Sequence, residues 1–163
     1  MTADPTIHAS AVLVGARAVV IRGASGTGKS RLALALLSGD GAEAPPFRRL
    51  VGDDRIHLEP AHGRLLARPA PSLGGLIEIR GLGIRRRPFE AVAVVGLVVD
   101  LAAAEAGRLP DAAGLETVIA GIRLPRLAVA AGINPLPLVL AHFEPQGPGS
   151  APDLDAPAEI AQK

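Results

Sequence analysis

The chain has 163 residues with 17 basic and 16 acidic side chains, a formal charge of +1, no cysteine, no tyrosine or tryptophan, and three phenylalanines. That length suits one domain with a sizeable core, and the missing cysteines exclude disulfides and thiolate metal sites. The near-neutral charge and scarce aromatic rings argue against a dedicated nucleic-acid binder and leave no aromatic sandwich for adenine. Mean hydropathy is positive, +0.33, yet the longest apolar run, Ala91 to Val99, stops at Asp100 and is too short to span a bilayer as a helix. The stretch Met1 to Pro5 has no basic or apolar leader character, so the expected location is the cytoplasm.

In chain order, Ile7–Val14 and Arg17–Ile21 are two strand-like runs separated by Gly15-Ala16, which predicts a hairpin. Residues 23–30, Gly23-Ala24-Ser25-Gly26-Thr27-Gly28-Lys29-Ser30, follow at once, and Arg31–Leu37 reads as a helix closed by Gly39. After a loop to Pro46, Leu50-Val51 is a short strand ending in Gly52-Asp53-Asp54, and Ile56–Glu59 with Arg64–Ala67 predicts a second hairpin. Pro69–Leu73 connects to a strand over Leu76–Arg80, whose Glu78 and Arg80 share a side. Gly81-Leu82-Gly83 reads as a mobile or closely approached loop, and Arg85-Arg86-Arg87 as a solvated face or a dock for an acidic partner. Ala91–Val99 predicts a central strand covered on both faces, Gly114–Gly121 a short helix, Leu124–Ala131 a strand and Pro135–Phe143 a last helix. Residues 1–144 form the expected domain, and the Pro-, Gly- and Asp-rich segment 145–163 is expected to be disordered.

Residues 23–30 fit the phosphate-loop pattern G-x-x-x-x-G-K-[ST] at every position, between a β-branched strand and a helix. Its glycines allow the backbone to turn N–H groups inward, and the helix N-terminus adds partial positive charge. Lys29 would reach the terminal phosphates of a nucleotide and the Ser30 hydroxyl would ligate Mg²⁺. Only Lys29 and Lys163 are lysines, so an otherwise arginine-using chain places its one internal ammonium at this loop. Phosphoryl transfer also needs a carboxylate, and Asp53, Asp54 and Glu78 all lie at strand ends downstream. Residue type alone leaves open whether Asp53 or Asp54 is a base, because neighbours at a strand end point opposite ways. His57, His62 and His142 have no metal-ligand spacing and read as structural or surface histidines.

His8, the loop Gly23 to Ser30, Leu50-Val51-Gly52-Asp53-Asp54 and, most distinctively, Glu78-Ile79-Arg80-Gly81-Leu82-Gly83-Ile84 together resemble the C-terminal catalytic domain of HPr kinase/phosphorylase. The resemblance runs from about Ile7 to Phe143. It implies an α/β P-loop kinase domain of the phosphoenolpyruvate carboxykinase-like type with a mixed β-sheet, without the N-terminal domain of longer members. It also implies ATP and Mg²⁺ as cofactors, the phosphocarrier protein HPr as the serine substrate, and a hexamer. By position it makes Asp54 the general base, Ser30 and Glu78 the Mg²⁺ ligands, Lys29 the phosphate-binding lysine and His8 an active-site histidine. Arg108 aligns loosely with a later catalytic arginine, and Arg80 is placed to stabilise charge on the transferring group or simply to pair with Glu78. Where the family has P-V-R-P-G-R-N, linked to dephosphorylation, this chain has Ala128-Val129-Ala130-Ala131-Gly132-Ile133-Asn134, with neither arginine, which puts the phosphorylase activity in doubt. Two other readings fit the same phosphate loop: a small-molecule kinase, and a non-catalytic nucleotide-sensing module.

Overall fold

The computed structural model describes residues 5–39 and 47–144. The tail expected to be disordered and most of the loop after Gly39 lie outside the described residues. Twelve regular elements follow in order: β1 (Ala9–Val14), β2 (Arg17–Arg22), α1 (Lys29–Ser38), β3 (Arg48–Gly52), β4 (Ile56–Ala61), β5 (Arg64–Pro69), β6 (Leu76–Ile79), β7 (Gly83–Arg86), β8 (Ala93–Leu101), β9 (Glu116–Ile119), β10 (Ile122–Val129) and α2 (Leu136–Phe143).

The main sheet has eight strands, with the path β3-β1-β2-β8-β10-β9 and the β4–β5 hairpin joined to it through β5 and β8. It is mixed. The strand before the phosphate loop, β2, pairs antiparallel with β1 and parallel with β8, and β8 pairs parallel with β10. The expected hairpin ahead of the loop is therefore present, with Val14 opposite Arg17 at its turn.

Alternation along the strands divides the core. Val19 and Ile21 of β2 face α1, where they meet Leu32, Ala33 and Leu36 together with Leu97 and Val99 of β8. Ala18 and Val20 face the other side, against Val51, Ile56, Leu65 and Ala67. Both faces of β2 and β8 are thus covered, which accounts for strands that are apolar at successive positions rather than every second one. With so few aromatics, small branched side chains fill both layers, each buried Val, Leu or Ile contributing about 1.5–3 kcal/mol.

One expectation is corrected. Gly114–Gly121 is not a helix: a single 3₁₀ turn over Ala113–Leu115 leads into β9, which folds back on β10. The cause lies in Thr117-Val118-Ile119, a β-branched run whose cross-strand partners begin three residues later, at Ile122. Arg80-Gly81-Leu82 is the turn of a separate two-stranded sheet formed by β6 and β7, with Gly83 opening β7 opposite Ile79. Neither glycine is closely approached by this chain, since nothing in it lies within 4 Å of where a side chain at Gly81 or Gly83 would begin. No helix among the described residues is long and apolar enough to cross a membrane.

Candidate active site

The phosphate loop is held from below by β2, whose residues Ala18 to Ile21 are fully buried, and it feeds directly into α1. Gly23 is required by space: a Cβ there would sit 2.6 Å from Thr27 Oγ1 and 3.3 Å from the Leu101 side chain. Gly28, the residue before α1, adopts φ 101°, a conformation that a side chain would strain. The first turn of α1 has no side-chain cap and no acidic residue. Its free N–H groups and partial positive charge therefore remain available to an anion. Lys29 is 7% exposed, and its ammonium donates to the Gly23 and Ala24 carbonyls at 2.8 and 3.0 Å. An ammonium has three hydrogens, so one is left for a ligand while two fix it to the loop.

The two aspartates after β3 point in opposite directions. Asp53 is 3% exposed and turns under the loop. It accepts hydrogen bonds from the Ser30 hydroxyl at 2.9 and 3.0 Å, from the Ser10 hydroxyl at 2.6 Å, and at 3.3 Å from the Glu78 N–H. Asp54 has φ 67°, which swings its side chain outward, 64% exposed, to meet His8 Nε2 at 2.9 Å. A left-handed non-glycine residue costs free energy and is held in place by its surroundings.

His8 and Asp54 line one open cleft of about 500 Å³ beside Ser10, Lys29, Ser30, Glu78 and Arg80, while Asp53 is buried behind Ser10 and Ser30 and does not reach the lining. Of the residues singled out from sequence, His8, Ser25, Gly26, Gly28, Lys29, Ser30, Asp54, Glu78 and Arg80 share this lining. Arg108 does not, since it stands exposed between β8 and β9. Arg80 and Glu78 form no ion pair among the described residues, so the simple pairing weighed for them does not occur. His57, His62 and His142 are likewise absent from the lining. Ser10 was missed entirely. Its only signal is a small hydroxyl inside an otherwise apolar strand, two residues after His8.

A second cavity of about 270 Å³ opens on the other side of the loop, lined by Gly26, Thr27, Leu101, Val129 and the segment Ala130-Ala131-Gly132-Ile133, with no charged side chain. Close by, Asp100 at the end of β8 accepts a two-pronged bond from Arg22 at 2.7 and 2.8 Å and another from Arg126 at 2.5 Å. Arg126 also donates to Glu105. Burial works against a charged Asp100, but the two guanidiniums outweigh it and hold the carboxyl below its usual range. The same contact with Asp100 raises Arg126.

The donor set fits Mg²⁺. A hydroxyl at Ser30 and carboxylates at Asp53 and Glu78 are hard oxygen ligands, and they are too few to bind a metal without help from phosphate oxygens, as Mg²⁺ prefers. Among the described residues no group of three or more His, Cys, Asp or Glu is placed to hold a metal alone.

A phosphate loop between a parallel-paired strand and an uncapped helix, with a buried carboxylate on its serine and an exposed one across an open cleft, defines a P-loop domain on a mixed sheet. Within that class, the family model of the HPr serine kinase C-terminal domain matches residues 1–128, and the chain belongs to this family. It is 37% identical over 134 residues to the HPr kinase/phosphorylase of Geobacillus thermodenitrificans, covering 76% of this chain and 41% of that one. The corresponding protein of Mycoplasma mycoides is 39% identical over 77 residues, 47% of this chain and 22% of that one. The chain thus spans less than half the length of these curated relatives. The solved Hpr(Ser) kinase/phosphatase from Coxiella burnetii superposes with a TM-score of 0.66 at 27% identity, over 85% of this chain and 93% of that one.

Proposed function

We propose that this chain is an ATP- and Mg²⁺-dependent protein-serine kinase whose acceptor is an HPr-type phosphocarrier protein. The observation that carries the reading is the divergence of the adjacent aspartates, with Asp53 against the loop serine and Asp54 facing the open cleft beside His8. In this reading Asp53 supports Ser30 on the metal and phosphate side, and Asp54 receives the proton of an incoming hydroxyl.

In the reaction, the acceptor serine oxygen attacks the γ-phosphorus as its proton passes to Asp54, and the bond to the β-phosphate oxygen breaks to release ADP. His8 orients Asp54. Lys29 and the N–H groups of the loop and α1 stabilise the charge on the transferring and leaving oxygens. Arg80, on the cleft lining, adds positive charge on the acceptor side. When bound at Ser30 and Glu78, Mg²⁺ would neutralise the β- and γ-oxygens. His8 and Asp54, 40% and 64% exposed, are within reach of a hydroxyl carried on a protein surface.

The absence of charged side chains around Ala130–Ile133 supports the kinase direction alone, because inorganic phosphate would find no guanidinium there. A cytoplasmic setting goes with such an acceptor. Incubation with Mg²⁺-ATP and either HPr or a panel of small hydroxyl compounds tests the reading. Phosphoserine on HPr and nothing on the panel is expected, and transfer to a small acceptor alone would replace it with the small-molecule reading.

A further inference from the structure

The β6–β7 hairpin stands apart from the main sheet, and its inner side is firmly anchored. Ile77 is buried and Ile79 packs on the core beneath α1. Phe89 lies against Gly74 and Gly75, and the Arg87 N–H donates to the Gly75 carbonyl at 2.7 Å. Arg85 lies opposite the buried Ile77 and leaves the hairpin from that same side, while Leu76, Glu78, Ile84 and Arg86 share the outward face. Every residue of β7 is exposed, with Leu82 60% and Ile84 66% accessible. In the register, Ile84 lies opposite Glu78, and Arg86 opposite Leu76, so an apolar strip and an arginine share one face with a residue of the catalytic cleft.

Charge is equally one-sided. Arg80, Arg85, Arg86 and Arg87 are all exposed, and among the described residues none of them has a carboxylate within 4.0 Å; Arg17, Arg31, Arg48, Arg55, Arg64 and Arg108 lack one as well, so what sets these four apart is that they cluster on one hairpin. Four guanidiniums without acidic partners, beside two exposed aliphatic side chains on a rigid hairpin, have the make-up of an interface with a basic rim. A two-fold contact between copies of the chain would set these arginines against themselves, whereas a head-to-tail contact would not, so oligomeric state is read alongside partner binding. A nucleic acid fits poorly, given a net charge of +1 and no Tyr or Trp.

Resting on the kinase reading above, we propose that the β6–β7 hairpin is the docking surface for the acceptor protein, which presents an apolar patch bordered by carboxylates next to the serine to be phosphorylated. Arg85, Arg86 and Arg87 act on encounter and retention of that protein, while the phosphate loop and Asp54 act on the transfer itself.

The test compares the wild-type chain with R85S/R86S/R87S and the charge-keeping R85K/R86K/R87K, using HPr as the probe. Direct HPr binding, kcat and KM for HPr are measured at two salt concentrations, with nucleotide-analogue binding and oligomeric state alongside. The serine variant should raise the HPr Kd and KM about tenfold, change kcat by less than about twofold and lose most of the salt dependence. Nucleotide affinity should stay the same and the lysine variant should recover most of the loss. Unchanged HPr binding in the serine variant, or no HPr binding by the wild-type chain, overturns the inference. So does a loss that follows a change of oligomeric state, which would assign the hairpin to a second copy. Arginine-dependent HPr binding without any phosphate transfer would uphold the surface and overturn the proposed activity instead.

Discussion

Asp53 and Asp100 both sit at the end of a strand beside the phosphate loop, yet they have opposite surroundings. Asp53 is held by neutral donors, the hydroxyls of Ser10 and Ser30 and one N–H. Asp100 is gripped by the guanidiniums of Arg22 and Arg126. Hydroxyls satisfy a carboxylate without cancelling its charge, so Asp53 remains attractive to a cation. Two arginines do cancel it, and Asp100 instead ties the ends of β2, β8 and β10 together beneath the loop. The partners of a carboxylate, more than its position after a strand, separate metal chemistry from architecture.

The strongest way to break this comparison is to neutralise each carboxylate in turn. Asp53→Asn keeps the shape of the side chain but not its charge. Phosphate transfer to HPr should fall about 10²–10³-fold while the melting temperature moves by no more than about 3 °C. Initial rates and a thermal melt give both numbers, and a folded variant with full activity would remove Asp53 from the metal side. Asp100→Asn should behave in reverse. It leaves Arg22 without a carboxylate partner and Arg126 with Glu105 alone, and should cost about 2 kcal/mol, roughly 5 °C in melting temperature, with transfer reduced less than tenfold.

Ser10 offers a finer test. Its hydroxyl is fully buried on Asp53, so Ser10→Ala should raise the Mg²⁺ concentration for half-maximal nucleotide-analogue binding by up to about tenfold. Binding without metal should stay the same, and Ser10→Thr should restore the wild-type value. The smallest effect concerns pH. Asp100 is held below its ordinary carboxylate range, so its contribution to stability is fully present above about pH 4 and is lost as the pH falls through the lowered value. Denaturant titrations should therefore show the wild type and Asp100→Asn converging on acidification below that point. A constant gap would mean that the arginines do not depend on the charge of Asp100.

Much of this was legible in the chain. The phosphate loop, the hairpin before it, the central β8 and both helices are local patterns, in which neighbours in sequence carry the signal. The order of Asp53 and Asp54 was visible, but their division of labour depends on the left-handed backbone at Asp54, which nothing in the residue type announces. Ser10 meets Asp53 across 43 residues, and Arg22 meets Asp100 across 78. Such pairs form only once β1 and β3, or β2 and β8, lie side by side. The β9 hairpin was misread for a related reason: cross-strand pairing with β10 overrode a segment with weak preference of its own.

The central claim is that Asp54, set opposite His8 on the open cleft, serves phosphate transfer to a protein serine. Intact-mass analysis of HPr after incubation with this protein, Mg²⁺ and ATP, beside an Asp54→Asn control, tests it most directly. The expected result is the gain of one phosphate with the wild type and none with the variant. An unmodified HPr from a wild-type protein that still binds ATP, or equal modification by the variant, would contradict the account.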